Sequence, residues 1–109
     1  MGNKQNPIDI FKKEAPEIAE AFDGLIDSLI KTKGLDAKTK QLIYIGIKAA
    51  SADKEAIKYH VPMAKQLGAT REEIKDTILI TLTTCGLKGV VSCLPIALQA
   101  YDNKPLKKE

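Results

Sequence analysis

Residues 67–74, with the sequence LGATREEI, contain the end of one helix and the start of the next. Gly68 is typical of the glycine that follows a helix C-terminus. Thr70 and Glu73 have the spacing of a capping box, in which each side chain bonds to the backbone N–H of the other residue. Because an apolar helical repeat follows Glu73 at once, this stretch predicts two helices joined by a tight turn.

Further helix boundaries lie on the N-terminal side of this turn. Pro7 and Pro16 stand at plausible first positions of helices, where the N–H that proline lacks has no partner in any case. Asp36 and Asp53 can each cap a helix N-terminus, because a side-chain oxygen there accepts a backbone N–H. Gly34 is predicted to end the helix that begins at Pro16.

The second half of the chain contains one ambiguous segment. Residues 77–84, TILITLTT, are rich in β-branched residues and could form a strand. A strand needs a partner, however, and no other segment alternates apolar and polar residues with period two. We therefore predict a buried helix that ends at Gly86. A last helix, over about residues 88–101, contains Pro95, which must kink or split it, and Pro62 has the same effect earlier.

These boundaries predict an all-α domain of about six helical segments. The chain has 109 residues, which corresponds to one domain over residues 1–109. It is 44% hydrophobic and 28% charged, a balance that allows a buried core and argues against disorder. The polar tail, residues 102–109, is predicted to be flexible.

The composition argues against nucleic acid as a partner. The net charge is +3, and Lys4 and residues 102–109 each contribute one positive charge, which leaves about +1 for the body. The chain has one arginine, Arg71. Aromatic residues make up 5% of the chain and none is tryptophan, so stacking platforms for bases are missing as well.

Membrane and secreted locations are also disfavoured. The apolar stretches are far shorter than the roughly 20 residues that a membrane span needs. The N-terminal residues include no apolar segment for secretion, and two cysteines without an export signal favour free thiols in a reducing compartment. We therefore predict a cytoplasmic protein with no membrane partner.

His60 is the single histidine of the chain. It shares one face of its helix with the apolar residues Ile57 and Ala64, so it should point into the core or a pocket. The simplest interpretation is a core histidine bonded to a backbone carbonyl, and the alternative is a proton-transfer group. A zinc site is disfavoured, since zinc needs three or four ligands. No metal and no cofactor are predicted.

The two cysteines, Cys85 and Cys93, are eight residues apart. On one continuous helix that spacing is about 12 Å, too long for a disulfide. The simplest interpretation of both is a small buried hydrophobic residue. A dyad of Cys85 with His60 would activate the thiolate, but the register of a simple helical hairpin separates the two residues. The dyad needs a steep helix crossing or a residue from a neighbouring subunit.

The stretch LDAKTKQLI at residues 35–43, followed by His60, Ala64 and the stretch at residues 67–74, resembles the core of the carboxymuconolactone decarboxylase family, which includes alkylhydroperoxidase D-like proteins. The resemblance covers about residues 35–101. It implies an all-α protomer that assembles as a homotrimer or homohexamer.

The sequence departs from the peroxidase branch of that family at the redox residues. That branch has two cysteines seven and four residues before the histidine and a glutamate twelve before the first cysteine. Asp53, Ala56 and Gln41 occupy these positions here. Without the C-x-x-C pair, the resemblance implies that the usual peroxidatic chemistry cannot run. The decarboxylase branch also lacks the pair and keeps the histidine.

The leading hypothesis is that the protein acts on or binds a small organic acid or lactone by cofactor-free proton transfer through His60. Gln41 and either Tyr44 or Tyr59 are the candidate partners that orient the reaction, and both tyrosines are candidates for binding the substrate. The decarboxylases carry arginines that suit an acidic lactone. Their role could fall here to lysines acting as point charges, which are Lys38, Lys40 and Lys48.

Two other hypotheses remain open. The first is a thiol-dependent antioxidant activity of the alkylhydroperoxidase or peroxiredoxin type, with Cys85 as nucleophile activated by His60 across a subunit contact. The second is a non-catalytic protein that binds a ligand or takes part in an assembly, since fold resemblance alone does not settle function.

Overall fold

The computed structural model describes residues 6–103 and contains only helices and turns over that range. Six helices have eight or more residues, and a seventh is a single turn. The helices are α1 (Pro7–Glu14), α2 (Pro16–Lys31), α3 (Ala37–Ala50), α4 (Lys54–Gln66), α5 (Arg71–Leu79), α6 (Leu82–Cys85) and α7 (Leu87–Asp102). The all-α prediction is therefore confirmed. Within residues 6–103, no helix has the length and apolar character needed to cross a membrane.

The chain forms two compact units, residues 1–34 and residues 35–109. The first unit contains α1 and α2, whose Phe11 and Phe22 rings pack edge to face with centroids 6.2 Å apart. Asn6 caps α1 by accepting the N–H of Ile8 at 2.8 Å. The prediction of a single domain over residues 1–109 stays a prediction.

The end of α2 differs from the sequence prediction in its cap. The helix ends at Lys31 and its C-cap is Thr32, so the prediction that Gly34 would cap it is wrong. The backbone N–H and the hydroxyl of Thr32 both donate to the carbonyl of Leu29, at 3.4 and 3.0 Å. A threonine that satisfies this carbonyl makes a glycine in the left-handed conformation unnecessary.

The second unit is built around one apolar core. Helix α4 packs against α3 and α7, and α5 packs against the same two helices. The buried core residues come from these four helices and the α4–α5 turn; they are Ile45, Ala49, Ile57, Val61, Ala64, Ala69, Ile74, Ile78, Cys93 and Ala97. The interpretation of Cys93 as a small buried hydrophobic residue is thus confirmed.

The predicted caps in this unit are confirmed. Asp36 accepts the N–H of Thr39 at 2.7 Å, and Asp53 accepts the N–H of Ala56 at 3.1 Å. The capping box is complete, because Thr70 accepts the backbone N–H of Glu73 at 3.0 Å and Glu73 accepts the backbone N–H of Thr70 at 2.9 Å. Gly68 has φ +101°, a conformation that favours glycine, where α4 ends.

The segment at residues 77–84 is helical, but it does not form the single buried helix that the sequence predicts. Helix α5 ends at Leu79, a turn follows at Ile80 and Thr81, and α6 then runs to Cys85 before Gly86. The hydroxyl of Thr81 donates to the carbonyl of Ile78 at 2.7 Å, and the backbone N–H groups of Thr81, Thr83 and Thr84 each donate to the carbonyl three residues earlier. Threonine hydroxyls compete for helix carbonyls in this way, which interrupts the regular helix.

The two internal prolines do not split their helices. Helix α4 continues through Pro62 and α7 continues through Pro95. The flexible tail was predicted to begin at residue 102, but Asp102 is the last residue of α7. Its carboxylate accepts a bidentate pair of hydrogen bonds from Arg71, each 2.9 Å long. Residues 104–109 of that tail lie outside the described residues.

Helices α3 and α7 approach each other closely at Gly89, which is buried. A Cβ atom built at this residue would lie 2.5 Å from the carbonyl oxygen of Ala49 and 3.1 Å from Oγ1 of Thr81. Because these distances are shorter than van der Waals contact, the packing of α7 on α3 depends on a residue without a side chain.

Candidate functional site

Helices α3 and α4 bring a cluster of polar and aromatic side chains together. Gln41, Tyr44 and Lys48 follow one another at helical spacing on α3, so they lie on one face. Tyr59 and His60 are neighbours on α4, which packs against α3. Four of the five predicted site residues therefore lie together, and Lys48 lies beside them. The four are Gln41, Tyr44, Tyr59 and His60.

The imidazole of His60 is held by Gln41. Its Nδ1 lies 3.1 Å from Oε1 of Gln41, across 19 residues of sequence. Because an amide oxygen only accepts hydrogen bonds, this arrangement needs the proton on Nδ1 and leaves the lone pair on Nε2. A histidine oriented in this way has a fixed tautomer and one nitrogen available to exchange a proton with a ligand.

Two tyrosine rings flank the imidazole. The Tyr44 ring lies 4.1 Å from it, centroid to centroid, and is tilted by 38°. The Tyr59 ring lies 5.2 Å away and meets it edge on, at 80°. Tyr59 is 70% exposed, whereas His60 is half-buried. The imidazole therefore has one aromatic neighbour on α3 and one on α4, and it is partly exposed rather than enclosed in the core.

The position of His60 lowers its pKa. The larger cause is burial, which disfavours the charged imidazolium, and the second is the positive charge of Lys48. Since the ordinary pKa of histidine is about 6.5, a lowered pKa leaves this imidazole neutral at pH 7. A neutral imidazole can accept a proton at Nε2, which is the state that a general base requires.

Lys48 is the lysine of the three predicted candidates whose charge acts on His60. Its Nζ lies 5.7 Å from the centroid of the Tyr44 ring and 3.5 Å from Oδ2 of Asp53. Lys38 is paired instead with Glu73 on α5, at 3.1 Å. Sequence reasoning did not separate these lysines, although the spacing of residues 41, 44 and 48 along one helix face was a usable signal.

Cys85 is the predicted site residue that the described contacts leave apart from this cluster. It lies in α6, half-buried, and its thiol donates to the carbonyl of Thr81 at 3.3 Å. Within the described residues, the imidazole of His60 shares a hydrogen bond with Gln41 and makes ring contacts with Tyr44 and Tyr59. Both cysteines are free, and burial raises the pKa of the Cys93 thiol. A role for Cys85 stays a prediction.

A groove of about 660 Å³ lies on a different face of α3 from His60, between α3 and the α5–α6 segment. Its lining residues are Thr39, Leu42, Ile43, Gly46, Ile47, Ala50, Asp76, Thr77, Ile80, Thr81, Thr83 and Thr84. None of them belongs to the His60 cluster. Within residues 6–103, no group of His, Cys, Asp and Glu side chains could hold a metal ion.

The chain belongs to the carboxymuconolactone decarboxylase family, whose sequence profile matches residues 16–99. The resemblance drawn from the sequence is thus confirmed. The match begins at residue 16, at the start of α2 and ahead of the predicted family core at residues 35–101. Membership of the family establishes the fold of this chain, whereas its activity depends on the residues of its own site.

Two similar proteins come from Methanocaldococcus jannaschii. The uncharacterized protein MJ0742 is 35% identical over 88 residues, which cover 80% of this chain and 85% of that protein. The uncharacterized protein MJ1511 is 28% identical over 97 residues, which cover 89% and 91%. A similar solved structure is that of apo-lpg0406, a carboxymuconolactone decarboxylase family protein from Legionella pneumophila. It superposes with a TM-score of 0.78 at 30% identity, over 88% of this chain and 85% of that chain.

Replacing Gln41 with glutamate is expected to raise the pKa of His60 by about one unit or more, because a carboxylate at this distance stabilises the imidazolium. His60 is the single histidine, so the signal of its ring carbon-bound protons gives the pKa directly in an NMR titration. Gln66→Glu, at the exposed end of α4, is the matched control for net charge. Equal pKa values in the two variants would show that the Gln41 bond does not govern His60.

Proposed function

We propose that this protein acts on or binds a small organic acid or lactone, with His60 as the proton-transfer group and without a cofactor. The observation that supports this most is the state of His60: it is half-buried, its Nδ1 is held by Gln41, and its Nε2 lone pair is not used by that bond. Family membership supports the class of substrate, since the family takes its name from the decarboxylation of an acidic lactone.

The neighbours of His60 orient its ring and provide a surface for the substrate. Gln41 is a positioning residue, because it fixes the tautomer and the ring orientation without reaching the substrate itself. The rings of Tyr44 and Tyr59 both contact the imidazole and offer apolar surface to a small unsaturated ring. These roles correspond to the substrate-binding function predicted for the two tyrosines.

A decarboxylation at this site balances with one proton. The bond between a ring carbon and its carboxylate breaks, CO2 leaves, and the electron pair passes into the conjugated lactone carbonyl of the substrate. A carbon of the resulting enolate then takes a proton, which His60 can donate from Nε2 once it has been protonated from solvent. The substrate itself is the electron sink, so the protein has to supply a binding surface, an orientation and one proton.

The test is turnover of γ-carboxymuconolactone by the purified protein in D2O. We expect CO2 release and a product that carries one deuterium on carbon, both followed by NMR. Binding of the lactone without CO2 release would reject the decarboxylase and leave a ligand-binding protein. Absence of both binding and turnover would reject this substrate class.

We further propose that the chain assembles with itself, as a homotrimer or homohexamer. The support is the apolar surface that α3 and the α5–α6 turn expose around the groove, where Ile43, Ile47 and Ile80 are each exposed and Ile80 reaches 66%. Apolar side chains grouped in this way are typical of a protein contact surface. Light scattering during gel filtration tests the proposal, and a mass of 11.9 kDa would reject it.

The two free cysteines fit a reducing compartment, so we place the protein in the cytoplasm.

A further inference from the structure

Tyr44 lies next to two polar groups on α3 and α4. The His60 and Tyr44 rings are 4.1 Å apart, and the Nζ of Lys48 lies 5.7 Å from the centroid of the same Tyr44 ring. An imidazole, an aromatic ring and an ammonium group are thus grouped at one place. A molecule with an apolar body and a carboxylate at one end matches the chemistry of these three groups.

The ion pair of Lys48 leaves room for such a carboxylate. The Nζ of Lys48 is 3.5 Å from Oδ2 of Asp53, longer than the roughly 2.7–2.9 Å of a strong charge-assisted hydrogen bond. Asp53 also caps α4, since its Oδ1 accepts the N–H of Ala56 at 3.1 Å. A lysine ammonium has three donors, so Lys48 can bind a second carboxylate while Asp53 stays at the helix cap.

We propose that Lys48 binds the carboxylate of a small acid whose apolar part lies over Tyr44 and whose reacting part lies against His60, and that Asp53 positions Lys48 until the acid arrives. This inference rests on the proposed function and adds to it the residue that recognises the acid. The sequence left three lysines for that role, and Lys48 is selected because it lies near the Tyr44 ring and its charge acts on His60.

Binding of the acid has a consequence for the protonation of His60. In the free protein Lys48 opposes the imidazolium. A bound carboxylate offsets the Lys48 charge, so the pKa of His60 rises toward its ordinary value and a larger fraction of the histidine is protonated at a given pH. Of the charged groups on the helices packed around α4, Lys48 is the one that shifts this pKa, and the rings of Tyr44 and Tyr59 contact the imidazole. Binding of the acid therefore increases the population of His60 that holds, from solvent, the proton that decarboxylation consumes.

The experiment uses benzoate as the probe and neutral benzamide as its isosteric control. The NMR signal of the single histidine is followed in the wild-type protein, Lys48→Gln, Lys48→Arg and Lys75→Gln. Lys75 is a matched control, because the side chains of Lys48 and Lys75 are both 34% exposed and each is paired with one carboxylate. We expect benzoate, and not benzamide, to shift the His60 signal saturably and to raise its pKa.

We expect Lys48→Gln to weaken benzoate binding tenfold or more, Lys48→Arg to retain most of it and Lys75→Gln to leave it unchanged. Without ligand, Lys48→Gln should also raise the pKa of His60 part of the way to 6.5, because burial remains. Equal benzoate affinity in Lys48→Gln and the wild type overturns the inference, and so does the absence of any benzoate effect on the wild type. Binding that depends on Lys48, without turnover of the lactone, rejects the catalytic proposal while the inference stands.

Discussion

Replacing His60 with glutamine is expected to lower kcat for lactone decarboxylation at least 100-fold. Glutamine has a similar size and can keep a hydrogen bond to Gln41, but its amide cannot exchange a proton near pH 7. Proton transfer by a positioned side chain contributes about 10²- to 10⁴-fold to a rate, so a 100-fold loss is the lower end of what this role implies. In free energy, that loss is about 2.7 kcal/mol of transition-state stabilisation.

The His60 prediction is measured as CO2 release under saturating lactone, with Lys75→Gln as the control variant on another helix. KM should change little, because His60 acts in the transition state and the anion is held elsewhere. The Gln41→Glu variant adds a second readout, since a raised His60 pKa should move the pH profile of kcat in the same direction. A His60→Gln variant that keeps more than a tenth of wild-type kcat would remove His60 from the mechanism.

The helix boundaries were the part of the fold that the sequence predicted best. Asp36, Asp53 and the Thr70–Glu73 box each act within one turn of chain, so the residues that make each bond are visible in the sequence. The helix break at residues 80–81 was not visible in the same way. Threonine hydroxyls there take carbonyls that a helix would use, and whether they do so depends on the packing around them.

The candidate site was predicted in part. His60 and Gln41 were found through their spacing and the family resemblance, and the structure puts them 3.1 Å apart. The helical spacing of Lys48 from Gln41 and Tyr44 indicated one of the three lysines, but its distance from His60 could not be predicted from the sequence. It depends on how α3 crosses α4, and that crossing is set by core contacts between residues distant in sequence, such as Ile45 and Ile57.

The second large effect is expected in stability, from Gly89→Ala. Alanine within a helix normally stabilises relative to glycine, by up to about 1 kcal/mol. Here the new methyl carbon would lie 2.5 Å from the carbonyl oxygen of Ala49, so α7 and α3 must move apart. That oxygen is fixed in place, since it accepts the N–H of Ala52 at 2.9 Å. Overpacking of this kind costs about 1–3 kcal/mol, so after the gain from alanine the free energy of unfolding should be lower by about 1–2 kcal/mol.

Gly46→Ala, on α3, is the matched control for this effect. Its added Cβ would meet the Cγ2 of Thr77 at 3.4 Å and the carbonyl oxygen of Thr77 at 3.8 Å, and both distances are ordinary van der Waals contacts. The same substitution should therefore leave stability unchanged or raise it by up to about 1 kcal/mol. Urea denaturation followed by circular dichroism at pH 7 measures both variants against the wild type. If Gly89→Ala unfolded at the same urea concentration as Gly46→Ala, the close approach of α7 to α3 at Gly89 would not be a determinant of stability.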